Sequence, residues 1–151
     1  MDMKLEVVVI PVSDVDRSKA FYADKLGFVV DVDQSFGDEF RVVQMTPPGS
    51  ACSVTIGKGL NDAVPGSVKG MQLVVSDVAA CREELAGRGL DVTPVRHNDA
   101  GAWVDGPGGP WNSFIFFDDP DGNSWAVQEL RVRAEKPLIP LEARGRFGGD
   151  D

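Results

Sequence analysis

Residues 12–15 read Val-Ser-Asp-Val, and residues 75–78 read Val-Ser-Asp-Val again, 63 residues further along the chain. Each copy follows a run of apolar, β-branched residues and precedes a segment with helix-like apolar spacing. Ser and Asp are typical helix N-caps, so both copies mark the passage from a strand into a helix. The same passage at two points of one chain indicates an internal duplication.

The segments around the two copies follow one order in both halves: strand, helix, strand, strand, strand. In the first half, apolar runs predict strands at 5–12, 28–32, 40–45 and 51–56, with a helix that begins at Ser13 or Asp14 and ends at Gly27. In the second half, the corresponding predictions are strands at 71–75, 90–95, 113–117 and 124–130, with a helix over 77–88.

The duplication predicts an α+β fold made of two βαβββ modules in tandem. The first module covers residues 1–60, a linker rich in turn-forming residues covers 61–69, and the second module covers 70–131. Residues 132–151 are a tail whose prolines predict extended or mobile chain. The apolar residues around Ile139 would pack on the body of the protein or on a second subunit.

Composition narrows the classes of function. Lys and Arg number 15 against 24 Asp and Glu, so the net charge is −9 and excludes the basic surface that nucleic acid or an anionic membrane requires. No apolar run is long enough to cross a membrane, and the N-terminus lacks the pattern of a signal peptide. Cys52 and Cys81 are far apart and predict free thiols in a cytoplasmic protein. The single histidine, His97, excludes sites with several histidine ligands.

Two longer motifs resemble a known family. Residues 10–22, Ile-Pro-Val-Ser-Asp-Val-Asp-Arg-Ser-Lys-Ala-Phe-Tyr, and 25–28, Lys-Leu-Gly-Phe, are similar to the opening of the vicinal oxygen chelate superfamily. That superfamily includes glyoxalase I, bleomycin-resistance proteins and extradiol dioxygenases. Residues 117–123, Phe-Asp-Asp-Pro-Asp-Gly-Asn, resemble its closing hairpin. The resemblance implies paired βαβββ modules that each curl a mixed sheet around a cavity.

In enzymes of this superfamily, four side chains from the first and last strands of the two modules hold a divalent metal. Carried over by position, the resemblance implies that these four places are Val7, Ser53, Gly70 and Ala126. None of them is a good ligand, because hard divalent metals prefer carboxylate or imidazole groups. A shift of one or a few residues would bring in Glu6, Gln128 or Glu129. We therefore predict no metal and no other cofactor.

Strand alternation predicts which side chains line the cavity. With Pro120 and Asp121 at the centre of the closing turn, the cavity face of the second module carries Gly70, Gln72, Val74, Ser113, Ile115, Phe117, Ser124, Ala126 and Gln128. The corresponding face of the first module carries Val7, Val9, Phe40, Val42, Gln44, Ser53 and Thr55. Such an apolar lining with a few amides and hydroxyls suits a neutral or amphipathic ligand. The alternative is that side chains fill the space and leave no ligand site.

The segment 96–112 is long for a connection in a compact domain, which is typical of lids and binding loops. It contains Trp103 and Trp111, which would either cover the cavity mouth and stack on a flat ligand or cap the core or a dimer contact. It also contains His97, Asp99 and Asp105, the weak candidates for catalytic residues. Trp125 alternates with Ala126 and is therefore expected in the core.

Three functions compete at this point. The first is a binding protein for a small aromatic or amphipathic compound, as in the drug-resistance branch of the superfamily. The second is a metal-dependent lyase, isomerase or dioxygenase, which the resemblance alone supports. The third is a metal-independent enzyme that uses His97, Asp99 or Asp105. We also expect a homodimer, since superfamily modules often pair across chains and open sheet edges need covering. The cavity would then lie within a chain or between subunits.

Overall fold

The computed structural model of the chain describes residues 1–135. These residues form two compact units. The first unit contains Met1–Lys69 together with the turn Asp118–Ser124, and the second contains Gly70–Phe117 and, among the described residues, 125–135. Each unit contains one mixed sheet and one main helix, so the predicted α+β class and the duplication are confirmed.

The first unit is a four-stranded sheet in the order β1-β4-β3-β2, in which β1 and β4 are parallel and the other pairs are antiparallel. Its elements are β1 (Val7–Val9), α1 (Val15–Ala20), β2 (Val29–Phe36), β3 (Phe40–Thr46) and β4 (Ser53–Lys58). One face of the sheet is buried with the helix and forms the core, which contains Ile10, Phe21, Tyr22, Leu26, Phe28, Val43, Met45, Val54 and Ile56.

The N-cap of α1 is Asp14, whose carboxylate accepts a hydrogen bond of 3.0 Å from the backbone N–H of Arg17. The helix continues as a π-helical turn over Phe21–Lys25. It ends at Gly27, where φ is +77° and a side chain would be strained. Asp77 caps the helix of the second unit in the same way, through a bond of 3.0 Å from Ala80 N–H. The two copies of Val-Ser-Asp-Val therefore have the same structural role.

The second unit is a five-stranded sheet in the order β5-β9-β8-β6-β7. Its elements are β5 (Met71–Val75), α2 (Val78–Gly87), β6 (Arg96–Asp99), β7 (Ala102–Asp105), β8 (Phe114–Asp118), β9 (Ser124–Glu129) and a short helix α3 (Arg131–Glu135). As in the first unit, the strand before the helix pairs in parallel with the last strand. The core contains Val78, Leu85, Leu90, Val92, Ile115, Phe117, Trp125, Val127 and Leu130.

The sequence prediction was wrong between residues 90 and 112. The expected strand at 90–95 is irregular, because Pro94 has no N–H to donate to a ladder. Leu90 and Val92 are nevertheless buried, and Thr93 N–H donates a bond of 3.0 Å to Phe116 O. The expected loop at 96–112 begins instead with a hairpin of β6 and β7, turned by Ala100 and Gly101.

The expected tail begins with α3 rather than with extended chain, and residues 136–151, including Ile139 and its apolar neighbours, lie outside the described residues. Within residues 1–135, no helix combines the length and apolarity that a membrane crossing needs.

Candidate functional site

The two faces of the second sheet differ sharply in exposure. One face is buried and includes Trp125, which is 2% exposed and stacks on Phe117 at 6.0 Å between ring centroids. The expectation that Trp125 belongs to the core is confirmed. The opposite, open face carries large aromatic rings, two glutamine amides and, at its β6–β7 edge, the Arg96–Asp105 ion pair, and we call it the aromatic face. Its members are Gln72, Val74, Trp103, Phe114, Phe116, Ala126 and Gln128.

The register of β8 and β9 corrects the predicted lining by one residue. Asp119 N–H bonds to Asn123 O and Glu129 N–H to Ser113 O, so the loop contains three residues, 120–122, rather than two. The third loop residue, Gly122, has a φ of +91°, as three-residue hairpin loops require. A shift of one residue moves every side chain of a strand to the other face. The side chains that change face are those of Ser113, Ile115 and Phe117, all of which are buried.

Phe114 and Phe116 take their place on the open face, opposite Gln128 and Ala126. The alternation rule needs only the loop length to find them. The glycine at position 122, between Asp119 and Asn123, was the available signal for a three-residue loop. The side chains of Gln72, Val74, Ala126 and Gln128 do share one face, as predicted, since Gln72 pairs with Ala126 and Val74 with Gln128.

Trp103 packs against both phenylalanines. Its ring centroid lies 5.2 Å from that of Phe114 and 4.9 Å from that of Phe116, edge to face in both cases. Phe114 and Phe116 are themselves stacked, at 6.0 Å and nearly parallel. Trp103 remains 48% exposed, so it is neither a core residue nor part of a loop: it stands on strand β7 and presents an aromatic surface to solvent.

The two glutamines form a hydrogen-bonded chain across the aromatic face. Gln72 Nε2 donates to Gln128 Oε1 at 2.7 Å, and Gln128 Nε2 donates to the backbone carbonyl of Trp111 at 2.6 Å. Trp111 has a φ of +55°, which is uncommon for a bulky residue, and its side chain is 49% exposed. The Gln128 amide therefore helps to hold a strained residue at the edge of the face.

The segment that carries Trp111 is packed closely onto β6. A Cβ on Gly108 would lie 2.2 Å from Asn112 O and 2.7 Å from the Cβ of His97, so only glycine fits there. Gly108 N–H also donates a bond of 3.1 Å to Ser113 Oγ. These contacts fix the backbone around Trp111 and leave its side chain half exposed.

The structure does not bring the three weak catalytic candidates together. His97 Nδ1 lies 2.8 Å from the carbonyl of Gly106, and Asp105 is paired with Arg96 at 3.1 Å. His97 and Asp99 alternate with Asn98, which pairs with Trp103, so they lie on the face opposite Trp103 and Asp105. No pair of them is placed as an acid and base around one substrate position.

The cysteines add no nucleophile. Both are free thiols. Burial raises the pKa of Cys81 and, together with Glu6, that of Cys52. Both thiols therefore stay protonated at neutral pH, and a protonated thiol is a weak nucleophile.

The open face of the first sheet carries the predicted residues. Val7 pairs with Ser53, Val9 with Thr55, and Gln44 with Thr55, which places all of these side chains on one face. Val42 and Phe40 follow by alternation. Here the hydroxyls are engaged with one another: Thr46 Oγ1 lies 2.6 Å from Ser53 Oγ and also donates to the Asp31 carboxylate. The ligand-binding roles of these residues stay predictions.

A cavity of about 260 Å³ lies elsewhere in the first unit, where the chain leaves β1 and β4. Its walls include Pro11, Val15 and Leu60, and its one charged residue is Lys58. The Lys58 ammonium donates to Asp38 O at 2.8 Å, so it is already engaged. The cavity is small for a ligand pocket.

The turn Asp118–Ser124 belongs to the first unit and binds it through Asp119. The Asp119 carboxylate accepts bonds from the Tyr22 hydroxyl at 2.7 Å and from Asn123 Nδ2 at 2.8 Å. It also accepts two backbone N–H bonds, from Asp121 and Asn123, both of 2.9 Å. Asn123 Nδ2 reaches Pro11 O at 2.9 Å. All of these groups are satisfied, so the motif at 117–123 is structural.

An ion-pair network lies at the edge of the first sheet. Arg41 bonds both oxygens of Asp33 at 3.0 Å, and Lys19 bonds Asp33 at 2.7 Å. The hydrogen bonds from Arg41, and then from Lys19, hold the pKa of Asp33 well below its ordinary value. Asp33 in turn raises the pKa of Arg41 further above its ordinary value. Asp16 also bonds Arg41, at 2.8 Å, so four charges are paired here and the network is structural rather than catalytic.

Comparison with known proteins identifies the scaffold. The family profile described as Glyoxalase/Bleomycin resistance protein/Dioxygenase superfamily matches residues 4–127. The chain belongs to this superfamily. The matched residues include the motifs at 10–28 and 117–123, which resemble the same superfamily. No curated protein matches the chain.

Solved structures agree with the family profile. TnmS3, an antibiotic binding protein from Streptomyces sp. CB03234, is 31% identical with a TM-score of 0.67, over 84% of this chain and 95% of that one. A glyoxalase/bleomycin resistance protein from the same organism is 32% identical with a TM-score of 0.65, over 83% and 99%. A superfamily member from Sphaerobacter thermophilus DSM 20745 is 25% identical with a TM-score of 0.67, over 84% and 97%.

The residues at the four places where the resemblance implies metal ligands do not fit a divalent metal. Val7 and Ala126 offer only hydrocarbon, and Gly70 has no side chain. The fourth, Ser53, has a hydroxyl already bonded to Thr46. Across residues 1–135, no three His, Cys, Asp or Glu side chains are grouped as a metal ion would need. No step through a metal is therefore derived for this chain.

Proposed function

We propose that the protein binds a small aromatic or amphipathic molecule on the aromatic face, without a metal. The observation that carries this proposal is the placement of Trp103, which is half exposed yet held edge to face on a stacked pair of phenylalanines. An aromatic side chain fixed in this way costs little further entropy when a flat ligand stacks on it.

The polar groups of the same face support this proposal. Gln128 is 6% exposed and fully engaged, whereas Gln72 is exposed on the neighbouring strand. A few oriented polar groups within an apolar surface are typical of sites that bind neutral organic molecules. The likeness to TnmS3, described as an antibiotic binding protein, favours the same class of ligand.

No observation favours an enzyme to the same degree. The metal positions hold no ligand set, and His97, Asp99 and Asp105 do not converge on one point. We further propose a homodimer in the cytoplasm. The exposed Val29 and Val32 of β2 support the dimer, and the free thiols suit a reducing compartment. Light scattering at micromolar concentration tests the dimer, and a monomeric mass would refute it.

The experiment uses the three tryptophans as reporters, because each gives its own indole N–H signal in a ¹⁵N–¹H spectrum. The probe is 2-naphthol, a flat two-ring aromatic. We expect the Trp103 signal to shift on titration while the signal of the buried Trp125 stays in place. Trp103→Ala should weaken probe binding about fivefold, since an aromatic contact contributes about 1 kcal/mol.

Phe36→Ala is the matched control, because Phe36 is an exposed ring that packs on Phe40 at 5.8 Å in the first unit. It should change affinity less than twofold. Treatment with a chelator should leave the affinity unchanged. A probe that shifts first-unit signals but not Trp103, or binding that is lost on chelation, would contradict the proposal.

A further inference from the structure

The chain of amides on the aromatic face has a fixed direction. A backbone carbonyl can only accept hydrogen bonds, so Gln128 must present its NH₂ group to the Trp111 carbonyl. Its Oε1 then points the other way, and Gln72 must present its own NH₂ group to that oxygen. Neither amide can be flipped without placing two acceptors or two donors against each other.

The fixed direction leaves an acceptor at the open end of the chain. Gln72 Oε1 makes no hydrogen bond to any other residue within 1–135, and Gln72 is exposed whereas Gln128 is buried. Both lone pairs of that oxygen are therefore available to a bound molecule, whereas the amide nitrogen already uses one of its hydrogens.

The position of this oxygen relative to the aromatic rings defines a place where a ligand can bind. Gln72 pairs with Ala126 on β9, and the hairpin register places Phe116 on the other side of Ala126. The three residues thus form one row across three adjacent strands, about 10 Å wide. The small Ala126 lies in the middle, between an aromatic ring and a hydrogen-bond acceptor.

From this row we infer that Gln72 determines specificity: the aromatic face selects flat molecules that lie over Ala126 and donate a hydroxyl or N–H hydrogen bond to Gln72 Oε1. The inference rests on the proposed function and adds a chemical requirement to it. An aromatic molecule that offers only acceptors, such as an ether, would stack on the same rings but leave Gln72 Oε1 without a partner.

Two probes that differ in one group test the requirement. 2-Naphthol carries a hydroxyl donor, and 2-methoxynaphthalene replaces it with an ether that only accepts. Their affinities are measured by the shift of the Trp103 indole signal, and the Trp125 signal checks that the fold is intact. We expect the native protein to bind 2-naphthol about tenfold more tightly, the usual effect of one hydrogen bond.

Gln72→Met keeps the length of the side chain and removes its amide. This variant should bind both probes equally, at the affinity that the native protein shows for 2-methoxynaphthalene. Gln34→Met is the matched control, because Gln34 is an exposed glutamine on β2 of the first sheet and has no predicted role in binding, and it should preserve the tenfold preference.

The outcomes separate the two claims. If both probes shift Trp103 in the native protein with equal affinity, the aromatic face binds aromatic molecules but the role of Gln72 is wrong. A preference that survives in Gln72→Met overturns that role as well. If neither probe moves the Trp103 signal of the native protein, the proposed function itself fails. If Gln72→Met does not fold, the ratio of the two probe affinities in the native protein alone tests the role of Gln72.

Discussion

On the open face of the first sheet, the Ser53 hydroxyl bonds to Thr46 and the Thr46 hydroxyl donates to Asp31, whereas on the second sheet the amides form a chain that ends at Gln72. The two sheets have the same strand order around their first and last strands. Their hydrogen-bonded groups nevertheless differ. The Thr46 and Ser53 hydroxyls of the first unit complete one another, whereas the chain of amides in the second unit ends in an acceptor at the surface.

The comparison teaches that a duplicated scaffold can divide its tasks between the two copies. The first unit carries the ion pairs of Asp33 and the buried carboxylate of Asp119, so its polar groups stabilise the fold. The second unit carries the aromatic rings and the open amide, so its polar groups are available for recognition. Changes in the first unit should therefore alter stability, and changes on the aromatic face should alter binding.

The largest effect is expected for Asp119→Ala. It removes the acceptor of the Tyr22 hydroxyl and of two backbone N–H groups within a buried network. We expect the free energy of unfolding to fall by about 3 kcal/mol or more, because several donors lose their partners in the interior. Urea denaturation measures the change.

Asp118→Ala is the control for Asp119, since the neighbouring carboxylate is exposed. It should change stability by no more than about 0.5 kcal/mol. The assignment of Asp119 to stability is wrong if Asp119→Ala unfolds at the native urea concentration, or if the folded variant loses its affinity for 2-naphthol.

The next effect is expected for Ala126→Leu, which fills the space between Phe116 and Gln72. The affinity for 2-naphthol should fall at least tenfold, because the larger side chain occupies the place of the ligand. Stability should change by less than about 1 kcal/mol, because the site is only partly buried. Calorimetric titration and urea denaturation give the two values.

Ala102→Leu is the matched substitution, because Ala102 adjoins Trp103 on β7 and its side chain points to the other face. It should leave the affinity unchanged. If Ala126→Leu and the native protein bind 2-naphthol with equal affinity, the ligand does not bind on the aromatic face. The proposed difference between the two sheets is then wrong.

A smaller effect, and one that depends on pH, is expected for Asp33→Asn. The pKa of Asp33 is lowered in the folded state, so the carboxylate contributes stability that is fully present above its unfolded pKa of about 3.8. That contribution is lost as the pH falls through the lower, folded pKa. At pH 7 the variant should be less stable by about 1 kcal/mol, because the pairs are partly solvated.

The difference between the native protein and Asp33→Asn should therefore shrink as denaturation curves are recorded at pH values progressively below 4. Asp38→Asn, in the exposed turn between β2 and β3, is the matched control and should change the free energy of unfolding at pH 7 by no more than about 0.5 kcal/mol. A gap that is constant from pH 7 to pH 3 would mean that Asp33 acts through packing and not through its charge.

The smallest effect is expected for Ala100→Gly in the turn between β6 and β7. Ala100 has a φ of +51°, in the left-handed region that favours glycine. Relief of this strain should exceed the added entropy of the unfolded chain and stabilise the protein by about 0.5 kcal/mol. Ala102→Gly, in the ordinary strand that follows, should have the opposite sign. Thermal denaturation of the two variants distinguishes these outcomes.

The sequence predicted the duplicated fold because each copy of Val-Ser-Asp-Val indicates a strand followed by a helix N-cap, which depends only on neighbouring residues. The same local logic placed Gln72, Ala126 and Gln128 on one face. It could not place Phe114 and Phe116, because one extra residue in the loop before Asn123 reversed the alternation of β8. Which residues pair across a hairpin depends on the length of its loop. The sequence pattern at residues 117–123 predicts a two-residue turn, one residue shorter than the loop in the structure.

Two further features of the site depend on tertiary contacts, so the sequence pattern does not predict them. The sequence predicts a loop at Trp103, because β7 is short and exposed on both faces. β7 is nevertheless a strand, since it pairs with β6. The chain of amides requires Trp111 to adopt a positive φ, which no residue pattern indicates for a tryptophan. The strained tryptophan and the aromatic cluster are thus the parts of the site that only coordinates reveal.

The turn Asp118–Ser124, which comes from the second repeat in sequence and belongs to the first unit in space, limits how this gene can evolve. A message cut after residue 69 would encode a first unit that lacks Asp119 and Asn123, which bond the Tyr22 hydroxyl and the Pro11 carbonyl. The first repeat cannot be recovered intact by truncation, since it now depends on residues that lie in the second repeat. Recombination that exchanges whole repeats between relatives would have to carry Asp119 and Asn123 along with the second half to keep the first half folded.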